Sequence, residues 1–199
     1  MASPPLAMGF ADPARDAQRV FKALMSALAR PGRKQRLAAR LSPPPPLTPE
    51  LAAVALTLLD FETAVWLDAP LAGAPAVSDF LRFHAAPRII AAPHDADFAL
   101  ISDAARMPPF EVFAQGTPDY PDRATTLLVQ VAKLATGALR LEGPGIAGRV
   151  GVSAAPLPDD FPARIAANAA GFPLGIDLFL IAPDAVVGLP RSVRLAEGN

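Results

Sequence analysis

The sequence predicts an α/β sandwich built on a mixed sheet. Two observations carry that prediction. Strand-like and helix-like segments intermingle along the whole chain without strict alternation. The stretch Gly175-Ile176-Asp177-Leu178-Phe179-Leu180-Ile181 is almost continuously apolar, as in a central strand covered on both faces. The length of 199 residues suits one domain, read here as spanning 1–199, and no charge run or Gly/Ser linker divides it.

The first helix is expected from about Pro13 to Ala29. Asp12 suits the N-cap and Pro13 the first helical position. Val20, Phe21, Leu24, Met25 and Leu28 recur at helical spacing as one apolar stripe, and Pro31-Gly32 stops the helix. Arg33 to Leu41 reads as a partly exposed strand. Pro43-Pro44-Pro45-Pro46 reads as a stiff polyproline II connector. Thr48 is the expected N-cap of a helix to about Leu59, and Ser78 of another to about His84. Strands are expected at Ala64–Leu67, Phe98–Ile101, Thr125–Val131, Leu139–Leu141 and Arg149–Ser153. A helix follows Asp159-Asp160 to about Ala170. The tail Gly188–Leu195 adds an extended piece.

Composition narrows the function classes. Hydrophobic residues make up 52% and charged residues 19%, which argues for a folded globule rather than a disordered chain. A formal net charge of −1 favours neither nucleic acid nor an anionic membrane, and no apolar run approaches a membrane span. There is no cysteine, so thiolate catalysis, disulfides and Cys-held zinc or iron–sulfur clusters are excluded. Met1 to Phe10 lacks a basic segment followed by a long apolar one, so no signal peptide is expected and the expected location is the cytoplasm.

The most informative stretch is Gly116-Thr117-Pro118-Asp119-Tyr120-Pro121-Asp122-Arg123. Two prolines stiffen it, and Gly116 can adopt a positive φ at its entry. Tyr120, Asp122 and Arg123 are thus presented on a rigid loop ahead of an apolar strand. Residue types alone favour a structural loop whose Asp and Arg pair locally. The alternative is an anion or partner contact, in which Arg33, Arg123, Arg191 and Arg194 offer forked hydrogen bonds to phosphate or phosphonate oxygens.

Other candidates are weaker. Asp60 and Glu62 stand two apart beside Trp66 and can serve acid/base work, or simply close a helix exit. Gly143-Pro144-Gly145-Ile146-Ala147-Gly148 matches G-x-G-x-x-G, but it leads into a strand and reads better as a hairpin turn. His84 and His94 form no metal-ligand pair, and no metal site is expected. The only lysines are Lys22, Lys34 and Lys133. Lys133 is the one candidate for a pyridoxal Schiff base, and a solvated strand lysine is the favoured alternative. No P-loop and no G-x-S-x-G elbow is present.

An ordered set of motifs resembles the PhnH family, subunits of the bacterial carbon–phosphorus lyase system. They are Gly9-Phe10-Ala11-Asp12-Pro13 with the helix to Gly32; Leu58–Leu67 around Trp66; Phe83-His84-Ala85-Ala86-Pro87; and Gly116–Arg123. Then come Leu141–Ile146, Gly171–Asp177 and Gly188–Arg194. The resemblance implies a three-layer α/β/α sandwich similar to the large domain of pyridoxal-phosphate-dependent transferases, without the cofactor site and with no cofactor. It implies action with the G, I and L subunits, L transiently, in displacing adenine from ATP by an alkylphosphonate to form ribose 1-alkylphosphonate 5-triphosphate. The iron–sulfur J subunit, which later cleaves the carbon–phosphorus bond, is a further partner; a chain without cysteine cannot be that subunit. A homodimer is implied for the isolated subunit, and neither nucleic acid nor membrane is implied as a partner. The role so implied is architectural or substrate-positioning, with no catalytic residue carried over. The alternatives are a stand-alone phosphonate- or nucleotide-binding module and a pyridoxal-type enzyme.

Overall fold

The computed structural model describes residues 7–196. The first six residues, on which the reading of the N-terminus partly rests, lie outside them.

Among the described residues five helices and ten strands follow one another, with short 3₁₀ turns between them. In order they are α1 (Pro13–Ala29), β1 (Gln35–Arg36), α2 (Pro49–Leu58), β2 (Ala64–Leu67), α3 (Ala69–Ala72) and α4 (Pro75–His84). Then come β3 (Arg88–Ile90), β4 (Phe98–Ile101), β5 (Thr126–Gln130), β6 (Lys133–Glu142), β7 (Val150–Ala155), α5 (Phe161–Ala170), β8 (Asp177–Ala182), β9 (Ala185–Leu189) and β10 (Arg194–Leu195). The main sheet has seven strands in the order β1-β9-β8-β5-β4-β2-β3. From β8 to β3 the pairs are parallel, whereas β9 runs antiparallel to β8 and to β1. The sheet is therefore mixed, as expected.

Its central strands are apolar on both faces, and successive residues serve different cores. Leu100, Leu128, Phe179, Ile181 and Val186 face one core with α1, α2 and α4. Ala99, Ile101, Leu127, Val129, Leu178, Leu180 and Val187 face the other. That second core is closed by Phe161 and Ile165 of α5, by Met107, Phe110 and Phe113, and by a three-stranded antiparallel sheet ordered β10-β6-β7. Three layers result, and the third is helix and sheet together. Each layer removes one face of the central strands from water, worth about 25 cal/mol per Å² of apolar surface.

Local signals behave as their chemistry requires. Asp12 accepts from the Arg15 amide at 3.2 Å and Thr48 from the Leu51 amide at 3.4 Å, so these two of the expected N-caps form. The bounds of α1, β2 and β4 coincide with the expected ones. The 143–148 glycine run is the turn joining β6 to β7, where the Ile146 amide donates to the Gly143 carbonyl.

Four expectations are corrected. Phe21 and Met25 are exposed: α1 is covered by β9 and α2 along Val20, Ala23, Leu24, Ala27 and Leu28, and no element reaches one position further round. The strand expected over 33–41 shrinks to Gln35–Arg36, because its partner β9 ends at the tight Pro183-Asp184 turn from β8. The helix expected to start at Ser78 starts at Pro75, whose fixed φ suits the first position; no side chain caps it. The proline run is not a continuous rod, since the Leu47 amide closes a turn onto the Pro44 carbonyl. Strands β3 and β9 were not expected as separate elements.

Gly188 sets how closely α1 lies on the sheet. A Cβ there would stand 2.7 Å from the Ala27 carbonyl carbon and 2.8 Å from its oxygen. Those are helix backbone atoms that cannot rotate away. Gly188→Ala is expected to lower stability by about 1–3 kcal/mol, the usual cost of overpacking. Urea denaturation measures it; an unchanged midpoint would show that α1 does not sit where described.

Candidate functional site

Open parallel sheets usually take ligands beyond the carboxyl ends of their strands, where the strand order reverses. Here that point lies between β2 and β4, and the chain's own Asp68 fills it. Asp68 is only 5% exposed. Its carboxylate accepts from the Leu71 amide at 3.2 Å, the Ser102 amide at 2.7 Å, the Asp103 amide at 2.8 Å and the Ser102 hydroxyl at 3.1 Å. One strand further on, the Gln130 side chain accepts from the Thr48 amide at 3.1 Å and donates to the Pro46 carbonyl at 3.3 Å. The usual ligand edge is thus closed by internal hydrogen bonds.

Several of the residues singled out in the sequence stand at the opposite, amino-terminal edge. The Gly116 loop leads into β5, and Asp177 opens β8. Gly116 has φ +75°, and a Cβ on it would meet the Pro121 carbonyl oxygen at 2.8 Å, so its glycine is required twice over. The Tyr120 amide donates to the Thr117 hydroxyl at 3.0 Å, and the Arg123 amide to the Tyr120 carbonyl at 3.2 Å. At the base of the loop, Gln115 bridges Ala124 and accepts from the Gly175 amide at 2.9 Å. The Thr125 hydroxyl donates to the Ala96 carbonyl at 2.7 Å and accepts from the Ala114 amide at 3.1 Å.

Arg191, just past β9, ties this loop to the sheet. Its Nη2 donates to Asp177 Oδ2 at 2.7 Å and its Nε to Oδ1 at 3.3 Å, a forked pair. Its backbone amide also donates to Asp177 Oδ1 at 2.8 Å, and its Nη1 to the Pro121 carbonyl at 2.5 Å. At the loop tip, the Arg123 guanidinium lies 4.4 Å from the Tyr120 ring centroid. Tyr120 is 52% exposed, so this cation–π pair faces solvent. Asp122 beside it is exposed.

The structure therefore brings Tyr120, Asp122, Arg123 and Arg191 together. It does not bring in the other two arginines. Arg33 precedes β1, three strands from β5 and so about 14 Å from the Gly116 loop at the usual strand spacing of about 4.8 Å. Arg194 lies on the outer sheet, opposite Glu142 in the β10–β6 register. The Asp60–Glu62 cluster closes a turn: Asp60 Oδ1 accepts from the Glu62 and Thr63 amides at 3.0 and 3.1 Å. His84 Nε2 contacts the Ala7 carbonyl oxygen at 2.9 Å and packs on Phe80, while His94 is exposed beside Asp95. Lys133 is exposed at the start of β6. Among the described residues no three His, Cys, Asp or Glu side chains stand where they could share a metal ion, and no helix is long and apolar enough to cross a membrane.

Asp68 and Asn168 are two of the buried polar residues that escaped the sequence reading. Asp68 followed by Ala69-Pro70 carries an N-cap signature that its place after a strand could have revealed. Asn168 donates to the Ile176 carbonyl at 2.9 Å and accepts from its amide at 2.8 Å, imitating a strand partner just before Asp177. Nothing local in the sequence marks that contact.

A family model for the bacterial phosphonate metabolism protein PhnH matches residues 8–196. The chain belongs to the PhnH family. A relative from Rhizobium meliloti (strain 1021), the alpha-D-ribose 1-methylphosphonate 5-triphosphate synthase subunit PhnH, is 43% identical over 187 residues. The alignment covers 94% of this chain and 93% of that protein. The PhnH resemblance of the sequence motifs is thereby established, and the Gly116–Arg123 loop, Asp177 and Arg191 all lie within the matched span.

Arg191→Ala is expected to free the loop from the sheet. Charged hydrogen bonds of this kind are each worth about 1.5–3 kcal/mol. Hydrogen exchange should speed up over residues 116–124 and at the start of β8; unchanged protection would remove Arg191 from this role. Asp68→Ala leaves the Leu71, Ser102 and Asp103 amides without their acceptor and is expected to cost about 3 kcal/mol or more. Thermal unfolding reads it, and a shift no larger than that of an exposed Asp95→Ala control would contradict the assignment.

Proposed function

We propose that this chain is the PhnH subunit of an assembly that forms ribose 1-alkylphosphonate 5-triphosphate from ATP and an alkylphosphonate, with release of adenine. The Rhizobium meliloti relative, named as a subunit of alpha-D-ribose 1-methylphosphonate 5-triphosphate synthase, supports the reaction assigned here. Within that assembly the subunit docks and positions rather than catalysing alone.

The observation that carries the docking role is the Tyr120–Arg123 pair. Tyrosine and arginine are the residues most enriched among interface hot spots. Here an exposed ring carries a guanidinium on its face, at the tip of a loop held by Arg191 and by the Gly116 turn. A contact group held in place before binding loses little conformational freedom on docking. Phe61 at 71% and Phe172 at 59% exposure lead into β2 and β8 on the same edge, widening the aromatic surface. The reading as a pyridoxal enzyme has little to stand on: Lys22, Lys34 and Lys133 are all exposed, and a Schiff-base lysine works from a desolvated pocket.

Co-purification of the wild-type chain with the G, I and J subunits tests the docking role against the Tyr120→Ala/Arg123→Ala variant. The variant is expected to keep its far-ultraviolet circular dichroism and to bind partners at least tenfold more weakly. Adenine release from ATP and methylphosphonate, with G, I and L present, should fall in step. Wild-type recovery of the complex by the variant would refute the docking surface.

A further inference from the structure

A second feature lies where α1, β1 and the outer sheet meet. A groove of about 320 Å³ runs between the Pro31–Lys34 segment and the β6–β7 pair. Its walls carry Arg33, Lys34, Thr136 and Arg149, and its floor carries Gly32 and Gly151.

The backbone around this groove is closely packed on itself. Gly32 has φ +74°, and a Cβ there would stand 2.5 Å from a Val150 methyl carbon. A Cβ on Gly151 would stand 2.6 Å from the Gly137 carbonyl oxygen. The β6–β7 register breaks between Ala135 and Leu139, so Thr136, Gly137 and Ala138 have no residue opposite them on β7. Bulges and glycines of this kind mark places where a strand bends away or another group approaches the backbone closely.

The charges are unbalanced. Arg33 and Lys34 are exposed and, among the described residues, form no ion pair. Arg149 has one carboxylate, Glu142, at 3.7 Å, and that pair is long and half-exposed. Three cations thus share one carboxylate.

We propose that this groove binds a chain of phosphates. One guanidinium fork engages two oxygens of one phosphate. Three cations on two walls match an anion whose charge is spread along a chain. The volume is at the small end of ligand pockets, which run from about 300 to 1,000 Å³, and suits a phosphate chain without a large organic part. A nucleoside triphosphate and a free oligophosphate share this chemistry. The groove uses none of the residues assigned to docking, so it stands or falls independently of that reading.

Calorimetric titration of the purified full-length chain with sodium tripolyphosphate, and separately with ATP, tests the proposal. Binding is expected to weaken as sodium chloride rises. Arg33→Ala/Arg149→Ala should weaken it at least tenfold, and so should Lys34→Glu alone, a change at one exposed side chain. Arg106→Ala, on a distant exposed turn, should leave it unchanged. Equal affinities assign the groove to the phosphates alone, and tighter ATP binding adds the nucleoside; both support the site. No binding of either ligand at millimolar concentration, or undiminished binding by the groove variants, would overturn it.

Discussion

The central strands must be covered on both faces, and the rest of the molecule follows from that requirement. Alternate residues of β4, β5 and β8 point into two separate cores. One is roofed by helices; the other by α5 and a small antiparallel sheet. Connections can emerge only at the two ends of the strands, so any recognition surface built from loops must lie along one of those edges. The carboxyl edge is stitched shut by Asp68 and Gln130. The amino edge keeps its loops and carries the exposed rings of Phe61, Tyr120 and Phe172.

Within that edge, Arg191 acts as a keystone. It joins the end of β9, the start of β8 and the loop before β5 through one side chain and one backbone amide. Pairs of this kind are strong because the planar guanidinium matches a carboxylate and still has a donor to spare. Asn168 supports the same point from below by holding Ile176, the residue before Asp177. The exposed Tyr120–Arg123 pair therefore stands on a layered hydrogen-bonded base.

How much of this was legible in the sequence depended on the range of each signal. Asp12-Pro13 and Thr48-Pro49 announce their helices because a cap and its first turn are neighbours in the chain. Ala64–Leu67 and Phe98–Ile101 were legible because a strand buried on both faces is continuously apolar. β9 was obscured by Gly188, which looks like a strand breaker and is there for the approach of α1. Phe21 and Met25 misled because helical spacing shows which residues share a face, not whether anything covers it. The site was half legible. Tyr120, Asp122 and Arg123 are close in sequence and stand on one loop. Arg191 was picked out for its type, but its partners are 14 residues away at Asp177 and 70 away at Pro121, and only the sheet brings them together.

The two lateral borders of the seven-stranded sheet bear on a different matter, the fate of the chain before it meets any partner. The bordering strands are two residues (β1) and three residues (β3) long. A long open border offers a row of unpaired amides and carbonyls on which another chain can polymerise. Borders this short give such growth almost nothing to extend, and β1 carries Arg36, whose charge repels a second copy laid alongside. The truncated borders of the main sheet thus leave little on which a second chain could be laid down.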